Sequence, residues 1–327
     1  MSAPLLDIRD LSVSFGTYQG RARVLDRASL TVNQGEIMGL VGESGCGKSV
    51  LSRSVLRIIP SPPGRIDGGE ILFEGRDLLR LHPKDMRRLR GERISMIFQE
   101  PMNSLNPVFT VGNQMREVVR AHRNASRAEA TDACLEMLSA VRLPDPRSVL
   151  RAFPHELSGG MRQRVMIAMA LICNPALLLA DEPTTALDVT VQGQILAILN
   201  ELAQRHGLSI LFVTHDMGVV AQLCHRVAVM YAGQVVEVAG VESIFARPAH
   251  PYTQGLIASI PGRASSGELY AIPGSVPSPI DPPPGCRFRP RCPHAASTGC
   301  SGIAPEMVRV APDHSVACHL FTSGGLP

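Results

Sequence analysis

Eight consecutive residues, Gly42-Glu43-Ser44-Gly45-Cys46-Gly47-Lys48-Ser49, have the composition of a loop that holds phosphate. The glycines let the backbone curl so that successive N–H groups point at anionic oxygens, and a helix opening at the end of the loop adds the positive end of its dipole. In this pattern Lys48 reaches the β- and γ-phosphates and the Ser49 hydroxyl holds Mg²⁺. Lys48 and Lys84 are the only lysines in the chain, every other basic side chain of that class being arginine. One of those two compact ammonium groups stands where phosphate chemistry wants it. Further polar stations can complete the chemistry. Of the adjacent carboxylates Asp181 and Glu182, the first can bind Mg²⁺, directly or through water, while the second orients and deprotonates an attacking water. Gln99 can sense the metal and the nucleophile, and His215 can hydrogen-bond the γ-phosphate. Taken singly, a histidine such as His215 more often serves the end of a strand than a reaction.

These side chains need elements that aim them at one place. Each station directly follows a short apolar run: Ile37 to Val41 before the loop, Ile94 to Phe98 before Gln99, Ala176 to Ala180 before Asp181, and Ser209 to Val213 before Thr214-His215. Such runs read as buried strands, and in doubly wound α/β folds ligands sit at the carboxyl ends of the strands. Upstream, Leu5 to Phe15 and Val24 to Val32 alternate as strands, and Asn33-Gln34-Gly35 is a turn. The helix-like stretch Val50 to Ile59 follows the loop, and Pro60 to Gly69 breaks it before a short strand from Glu70 to Phe73. Arg87 to Arg93 reads as a solvated charged run. From Glu100 to about Arg151 strand signals vanish. Val111 to Arg123 and Ser126 to Val141 have helical spacing, the second with Ser126 and Glu129 in capping-box register. This predicts a helical insert in an α/β domain. Leu157-Ser158-Gly159-Gly160-Met161 then opens an apolar helix running to Cys173, a helix start with exposed N–H groups and a hydroxyl that suits a second anion contact. An amphipathic helix is expected over Val189 to Arg205, a hairpin around Ala232-Gly233-Gln234, and a short helix near Glu242 to Ala246.

The chain has 327 residues, 45% of them hydrophobic and 19% charged, with a formal net charge of +3. This is an ordinary globular composition, long enough for one large domain with an appendage or for two ordinary domains, and the small charge does not call for nucleic acid. Met1 to Asp10 has no basic segment followed by a long apolar core, and no run approaches the length of a membrane-spanning helix. A soluble, cytoplasmic protein is expected, reaching any membrane through a partner. Of the eight cysteines, Cys286, Cys292, Cys300 and Cys318 crowd the C-terminal end with spacing C-x5-C-x7-C-x17-C. In a reducing compartment such crowding points to metal before disulfides. Four thiolates suit tetrahedral Zn²⁺ or a 4Fe–4S cluster.

The loop from Gly42 to Ser49, Gln99, Leu157-Ser158-Gly159-Gly160-Met161, Leu177-Leu178-Leu179-Ala180-Asp181-Glu182, Ala186-Leu187-Asp188 and His215 occur in the order found in ABC-transporter ATPases, which the chain resembles from about Leu5 to Ala239. The resemblance implies an ABC-type P-loop ATPase core with an antiparallel β subdomain and a helical subdomain. Position by position, these residues match the Walker A loop, the Q-loop glutamine, the signature motif, the Walker B strand with its catalytic glutamate, the D-loop and the switch histidine. Phe15 matches the aromatic that stacks on adenine, with Tyr18 as competitor. In that family Ser158, Gly159 and Gly160 cap the γ-phosphate held by a second subunit, so ATP closes a dimer and hydrolysis reopens it.

Farther on, His250-Pro251-Tyr252-Thr253 and Gly285-Cys286-Arg287-Phe288-Arg289-Pro290-Arg291-Cys292-Pro293 resemble the tail of ATPase subunits from bacterial oligopeptide, dipeptide and nickel importers. That likeness implies an ATP-binding, Mg²⁺-dependent ATPase that couples energy to solute import. It pairs with a homologous, distinct ATPase on the cytoplasmic face of the inner membrane, beneath two permease subunits fed by an extracytoplasmic binding protein. The segment Asn103 to Phe109 would lie near the permeases. Residues 1–240 would form the ATPase domain, with the helical subdomain at about 100–175, and 241–327 a small cysteine-rich extension. Because some such tails carry an iron–sulfur cluster, a 4Fe–4S cluster on Cys286, Cys292, Cys300 and Cys318 is expected first, Zn²⁺ second, and unligated or disulfide-linked thiols third. Arg287, Arg289 and Arg291 would offset a cluster's negative charge or form a solvated basic loop, and His294, His314 and His319 are substitute ligands. The alternatives from other classes are a soluble ABC ATPase of DNA repair or translation, which commonly joins two cassettes or carries a long coiled coil, and an iron–sulfur regulatory module with damaged catalytic positions.

Overall fold

The computed structural model of the chain describes residues 3–99, 105–185, 188–260, 270–296, 300 and 302–322. In chain order its strands are β1 (Leu6–Thr17), β2 (Gly20–Val32), β3 (Ile37–Val41), β4 (Gly64–Phe73), β5 (Arg76–Asp77), β6 (Ile94–Ile97), β7 (Leu177–Asp181), β8 (Ser209–Thr214), β9 (Arg226–Tyr231), β10 (Gln234–Gly240), β11 (Met307–Ala311) and β12 (His314–Ala317). They belong to two compact units, residues 1–79 with 213–327, and residues 80–212.

In the first unit β1 lies between β2 and β4 in an antiparallel sheet ordered β2-β1-β4-β5. The alternation in β1 buries Leu6, Ile8, Leu11 and Val13 on one side, with bulges between Ile8 and Leu11 that keep the apolar face inward. The glycine-rich stretch before Glu70 is strand as well, because β4 begins at Gly64. In the same unit β3 runs parallel to β9, with Met38 opposite Arg226. All five residues of β3 are buried, as a strand covered on both faces must be. The β9–β10 hairpin turns at Ala232 and Gly233, both with positive φ (43° and 86°), the requirement of a two-residue turn matched to strand twist.

The C-terminal residues do not form a separate appendage. β12 pairs antiparallel with β10, Glu237 opposite Val316, and β11 pairs with β12, so they extend the sheet that carries β3. A helix the sequence pattern did not reveal, Pro251–Ala258, starts with proline at its first turn and buries Tyr252, Thr253 and Ile257. What fixes this region is a carboxylate. Glu237 is fully buried, and its oxygens accept from the Ala249 N–H at 2.7 Å, the His250 N–H at 2.9 Å and His314 Nε2 at 2.6 Å. A buried charge is tolerable only with such a set of donors.

The second unit has β6 parallel to β7, Ile94 opposite Leu177, with β8 next in order. Its helices include Pro83–Glu92, Val111–His122, Arg127–Ala140, Pro146–Arg151, Gly159–Leu171 and Val189–His206. The expected capping box is present: the Glu129 N–H donates to Ser126 Oγ at 3.3 Å and the Ser126 N–H to Glu129 Oε2 at 2.7 Å. Asn103 lies outside the described residues, as do Ala186 and Leu187. Among the described residues no helix is long and apolar enough to cross a membrane.

Burial drives the His250 pKa down from 6.5 to about 4, with the Glu237 charge opposing the shift. The ring is thus neutral in the fold, where its Nδ1 accepts the Tyr252 N–H at 3.0 Å. The unfolded chain binds this proton below about pH 6.5 and the folded chain only near 4, so this contribution is complete above 6.5 and is lost as the pH falls toward 4. Denaturant unfolding of the wild-type chain is expected to lose up to about 3 kcal/mol over that window. His250→Asn keeps an acceptor at the cap and is expected to show a shallower loss; an identical pH profile in the variant refutes the assignment.

Candidate functional site

The loop in the first unit is shaped by two close approaches. A Cβ on Gly42 (φ 156°) would sit 2.1 Å from the Met230 carbonyl oxygen, and one on Gly47 (φ 108°) 2.8 Å from a Leu25 methyl. Only glycine lets the chain leave β3 under the β9–β10 hairpin and then turn into the helix Lys48–Val55. The hairpin also donates the Gly233 N–H to the Cys46 carbonyl at 2.8 Å. Lys48 is only 5% exposed; its ammonium donates to the Gly42 carbonyl at 2.7 Å and the Glu43 carbonyl at 3.1 Å. Ser49 is half-buried beside it. Cys46 is buried, and desolvation raises its thiol pKa although Lys48 opposes the shift, so it packs there as a neutral thiol.

Glu43 has partners the sequence did not announce. Its N–H donates to the Tyr252 hydroxyl at 2.8 Å, and its carboxylate takes a bidentate fork from Arg291 at 2.7 and 3.1 Å. Arg287 in turn pairs with Asp26 at 2.6 Å and donates to the Ala232 carbonyl. Both arginines are buried, while Arg289 is exposed. Arg287 and Arg291 therefore form neither a solvated basic loop nor a free reserve of positive charge, because each is taken up by a carboxylate of the first unit.

In the second unit Asp181 is the buried last residue of β7, and Glu182 follows with φ 48°, a left-handed conformation that costs a non-glycine residue on the order of 1 kcal/mol. The turn places one oxygen, Glu182 Oε2, to accept from Gln99 Nε2 at 3.1 Å and from Thr185 Oγ1 at 2.9 Å. Gln99 and Glu182, predicted from separate strand ends, thus meet directly. Ser158 caps the helix Gly159–Leu171, its Oγ accepting the Met161 N–H at 3.3 Å. Gly159 is exposed with open space around its Cβ position. From the same helix the fully buried Gln163 donates to the Pro183 carbonyl, tying the helix to the turn that follows Glu182. A glutamine one turn into an apolar helix was the available signal for this tie, because a buried amide demands a partner.

His215 is exposed just after β8, and Asp216 caps the next helix, Met217–Leu223. Phe15 is half-buried with its ring edge against Gly64, whereas Tyr18 is fully exposed. Among the described residues no group of three or more His, Cys, Asp or Glu side chains is placed to hold a metal ion, and the eight cysteines are free thiols. The expected four-cysteine site is therefore not preformed, and His294, His314 and His319 do not complete one. Cys286 and Cys300 are buried in one apolar cluster against which Cys292 packs, and Cys318 lies in a second. Burial, reinforced by the other three cysteines, raises the Cys318 thiol pKa to about 11. Neutral buried thiols pack as small apolar groups and do not organise a cage by themselves.

Oxygen donors are what Mg²⁺ takes, and the Ser49 hydroxyl and the buried Asp181 carboxylate are of that kind. The glycine cradle of the loop, which any Cβ at Gly42 would fill, fits a phosphate chain.

The ABC transporter family matches residues 25–185, and the oligopeptide/dipeptide transporter C-terminal region matches residues 236–300. A probable peptide ABC transporter ATP-binding protein of Sinorhizobium fredii is 52% identical over 96% of this chain and 94% of its own length. The oligopeptide transport ATP-binding protein OppD of Bacillus subtilis is 50% identical over 97% of this chain and 89% of its own. A bacterial ABC transporter cassette solved as a dimer superposes with a TM-score of 0.65 at 26% identity, over 72% of this chain and 98% of that one.

Gly42→Ala, forced against the Met230 carbonyl, is expected to destabilise the chain by at least about 3 kcal/mol. Gly45→Ala, where nothing lies within 4 Å of the new Cβ, should cost only about 1 kcal/mol of backbone strain. Urea denaturation of the two variants measures the difference, and equal losses contradict the close-approach account.

Proposed function

The chain belongs to the ABC transporter ATP-binding proteins of the oligopeptide/dipeptide class, and on that premise we propose how its residues divide the work. It is the ATP-hydrolysing, energy-coupling subunit of an importer for peptides or related small solutes. The observation that carries the residue assignment is the presence, in one chain, of both a buried Lys48 in a glycine cradle and a Glu182 carboxylate held by Gln99 and Thr185. A role in DNA repair or translation is not favoured, since relatives matched over nearly their whole length are transport subunits.

Gly42, Glu43, Ser44, Gly45, Cys46 and Gly47 offer backbone N–H groups to the phosphates, and Lys48 exchanges its contacts with the Gly42 and Glu43 carbonyls for phosphate oxygens. Ser49, Asp181 and Gln99 are the residues that would hold Mg²⁺, which would supply positive charge to the phosphates. Glu182 accepts the proton of the attacking water, its oxygen already oriented by Gln99 and Thr185, and His215 contacts the γ-phosphate. The exposed ring of Tyr18 suits adenine stacking better than the half-buried Phe15. Ser158, Gly159 and Gly160 serve the nucleotide of a second ATPase, which supplies the matching helix start in return. Closure is driven because the closed pair offers ATP contacts that the open pair lacks.

The chain works with a second ATPase and with permeases. That the second ATPase is a distinct homologue, that there are two permease subunits fed by an extracytoplasmic binding protein, and that assembly is on the cytoplasmic face of the inner membrane as a peripheral subunit, are parts of this reading. Exposed Val108 and Phe109, just after Gln99, suit contact with permease helices. We take 1–240 as the ATPase domain, with its helical subdomain at about 100–175, and 241–327 as the peptide-transporter extension. Within it Cys286, Cys292, Cys300 and Cys318, four thiols in one short C-terminal stretch, would hold a 4Fe–4S cluster, or Zn²⁺, whose binding would have to draw the thiols together and displace their protons.

Glu182→Gln is expected to retain ATP binding and lower steady-state turnover of the assembled transporter by at least about a hundredfold; unchanged turnover sinks the glutamate's role. Protein purified without oxygen is expected to contain about four irons per chain, lost in Cys292→Ser. Stoichiometric zinc without visible absorbance refutes the cluster.

A further inference from the structure

Glu43 is gripped at every polar point it has. Tyr252 Oη takes its N–H at 2.8 Å, Lys48 Nζ donates to its carbonyl at 3.1 Å, and Arg291 forks its carboxylate. The first and last of these come from the C-terminal region, more than two hundred positions along the chain.

Neither group is loosely placed. Tyr252 is fully buried, its ring 4.6 Å from that of Tyr231 and 5.5 Å from that of Phe288. The Arg291 side chain is 3% exposed. Besides Glu43 it donates to the Pro273 carbonyl at 2.9 Å and the Ile272 carbonyl at 3.2 Å, and its guanidinium lies 5.8 Å from the Tyr231 ring centre. A planar fork on a carboxylate fixes direction as well as distance, which an ammonium cannot do. The anchors therefore define where the second residue of the phosphate loop sits and how its peptide plane is turned. That plane carries the carbonyl on which Lys48 rests and borders the N–H groups of the cradle.

We propose that Arg291 and Tyr252 are positioning residues of the ATP site: through Glu43 they hold the phosphate loop in the geometry that receives the nucleotide. The inference rests on the reading of this loop as an ATP site. Arg291 acts at one remove, since its fork is occupied by Glu43 and its side chain is shut from solvent. Losing the clamp leaves the loop free to turn, so the cost falls on nucleotide capture more than on the chemical step.

The test uses the full-length chain with a fluorescent trinitrophenyl-ATP as probe, and ATPase assays on the assembled transporter. Arg291→Met and Glu43→Gln are each expected to weaken probe binding about tenfold, and the double variant no more than the worse single, because both remove one interaction. Arg291→Lys should recover part of the loss, and Tyr252→Phe should weaken binding severalfold. The ATPase assay should show KM raised in the same ratio with kcat within about twofold. Should Arg291→Met not fold, Glu43→Gln, altered at a part-exposed loop side chain, reads the same clamp. Unchanged probe affinity in folded Glu43→Gln, or losses that multiply in the double variant, overturns the inference. Lys48→Ala separates the two readings: if the wild type fails to bind the probe, the ATP site itself is refuted. If the wild type binds, Lys48→Ala does not and the clamp variants equal wild type, only the positioning role falls.

Discussion

A lysine ammonium held almost wholly out of solvent is the constraint around which the first unit is built. Burying an unpaired cation costs several kcal/mol or more, and here the Lys48 charge is met by two carbonyls of its own loop. Those carbonyls can face inward only if the loop leaves β3 tightly, which requires a residue without a side chain at Gly42 under the Met230 carbonyl. The strand must be rigid for the loop to be so, and β3 is buried along its whole length. The arrangement stores a cation with ligands that phosphate oxygens, carrying full negative charge, can outcompete.

The parts of the molecule built from local rules were readable in advance. β3, β6, β7 and β8 are short apolar runs with nothing else to be, and the capping box at Ser126 and Glu129 marks a helix start by two reciprocal hydrogen bonds. The contact of Gln99 with Glu182 followed from placing both at strand ends, although the left-handed turn at Glu182 that aims the carboxylate has no local signature. The strands of the C-terminal region were not legible for a physical reason. Its strands β11 and β12 are brief, β11 is largely half-exposed or exposed, and their pairing with β10 is decided by tertiary contacts. The arginines around Cys292 read as counter-charges for a negatively charged thiolate cluster because the spacing of cysteines is visible in a sequence, while a carboxylate partner hundreds of residues away is not. The four cysteines divide between two apolar clusters, and among the described residues no set of them is placed as a metal cage.

In the second unit the chemistry is distributed along one turn and one helix. Asp181, Glu182, Pro183 and Thr185 are consecutive or nearly so, and Gln163 fastens the helix that Ser158 caps to the Pro183 carbonyl. A displacement of the helix start therefore bears directly on the backbone beside Glu182. In the proposed function, where that helix start serves the nucleotide of a second ATPase and Glu182 activates water, the turn would be a short mechanical route between the two.

The ion pair joining Arg291 to Glu43 spans 248 positions of sequence. Synthesis is vectorial, at roughly 5–20 residues per second, so the phosphate loop leaves the ribosome long before its clamp exists. For that interval, on the order of ten seconds or more, the nascent chain carries a glycine-rich loop with Glu43 unrestrained. Synthesis of the C-terminal region thus sets when Glu43 is clamped, and a ribosome that stalls before Arg291 releases a fragment whose glycine-rich loop lacks that ion pair.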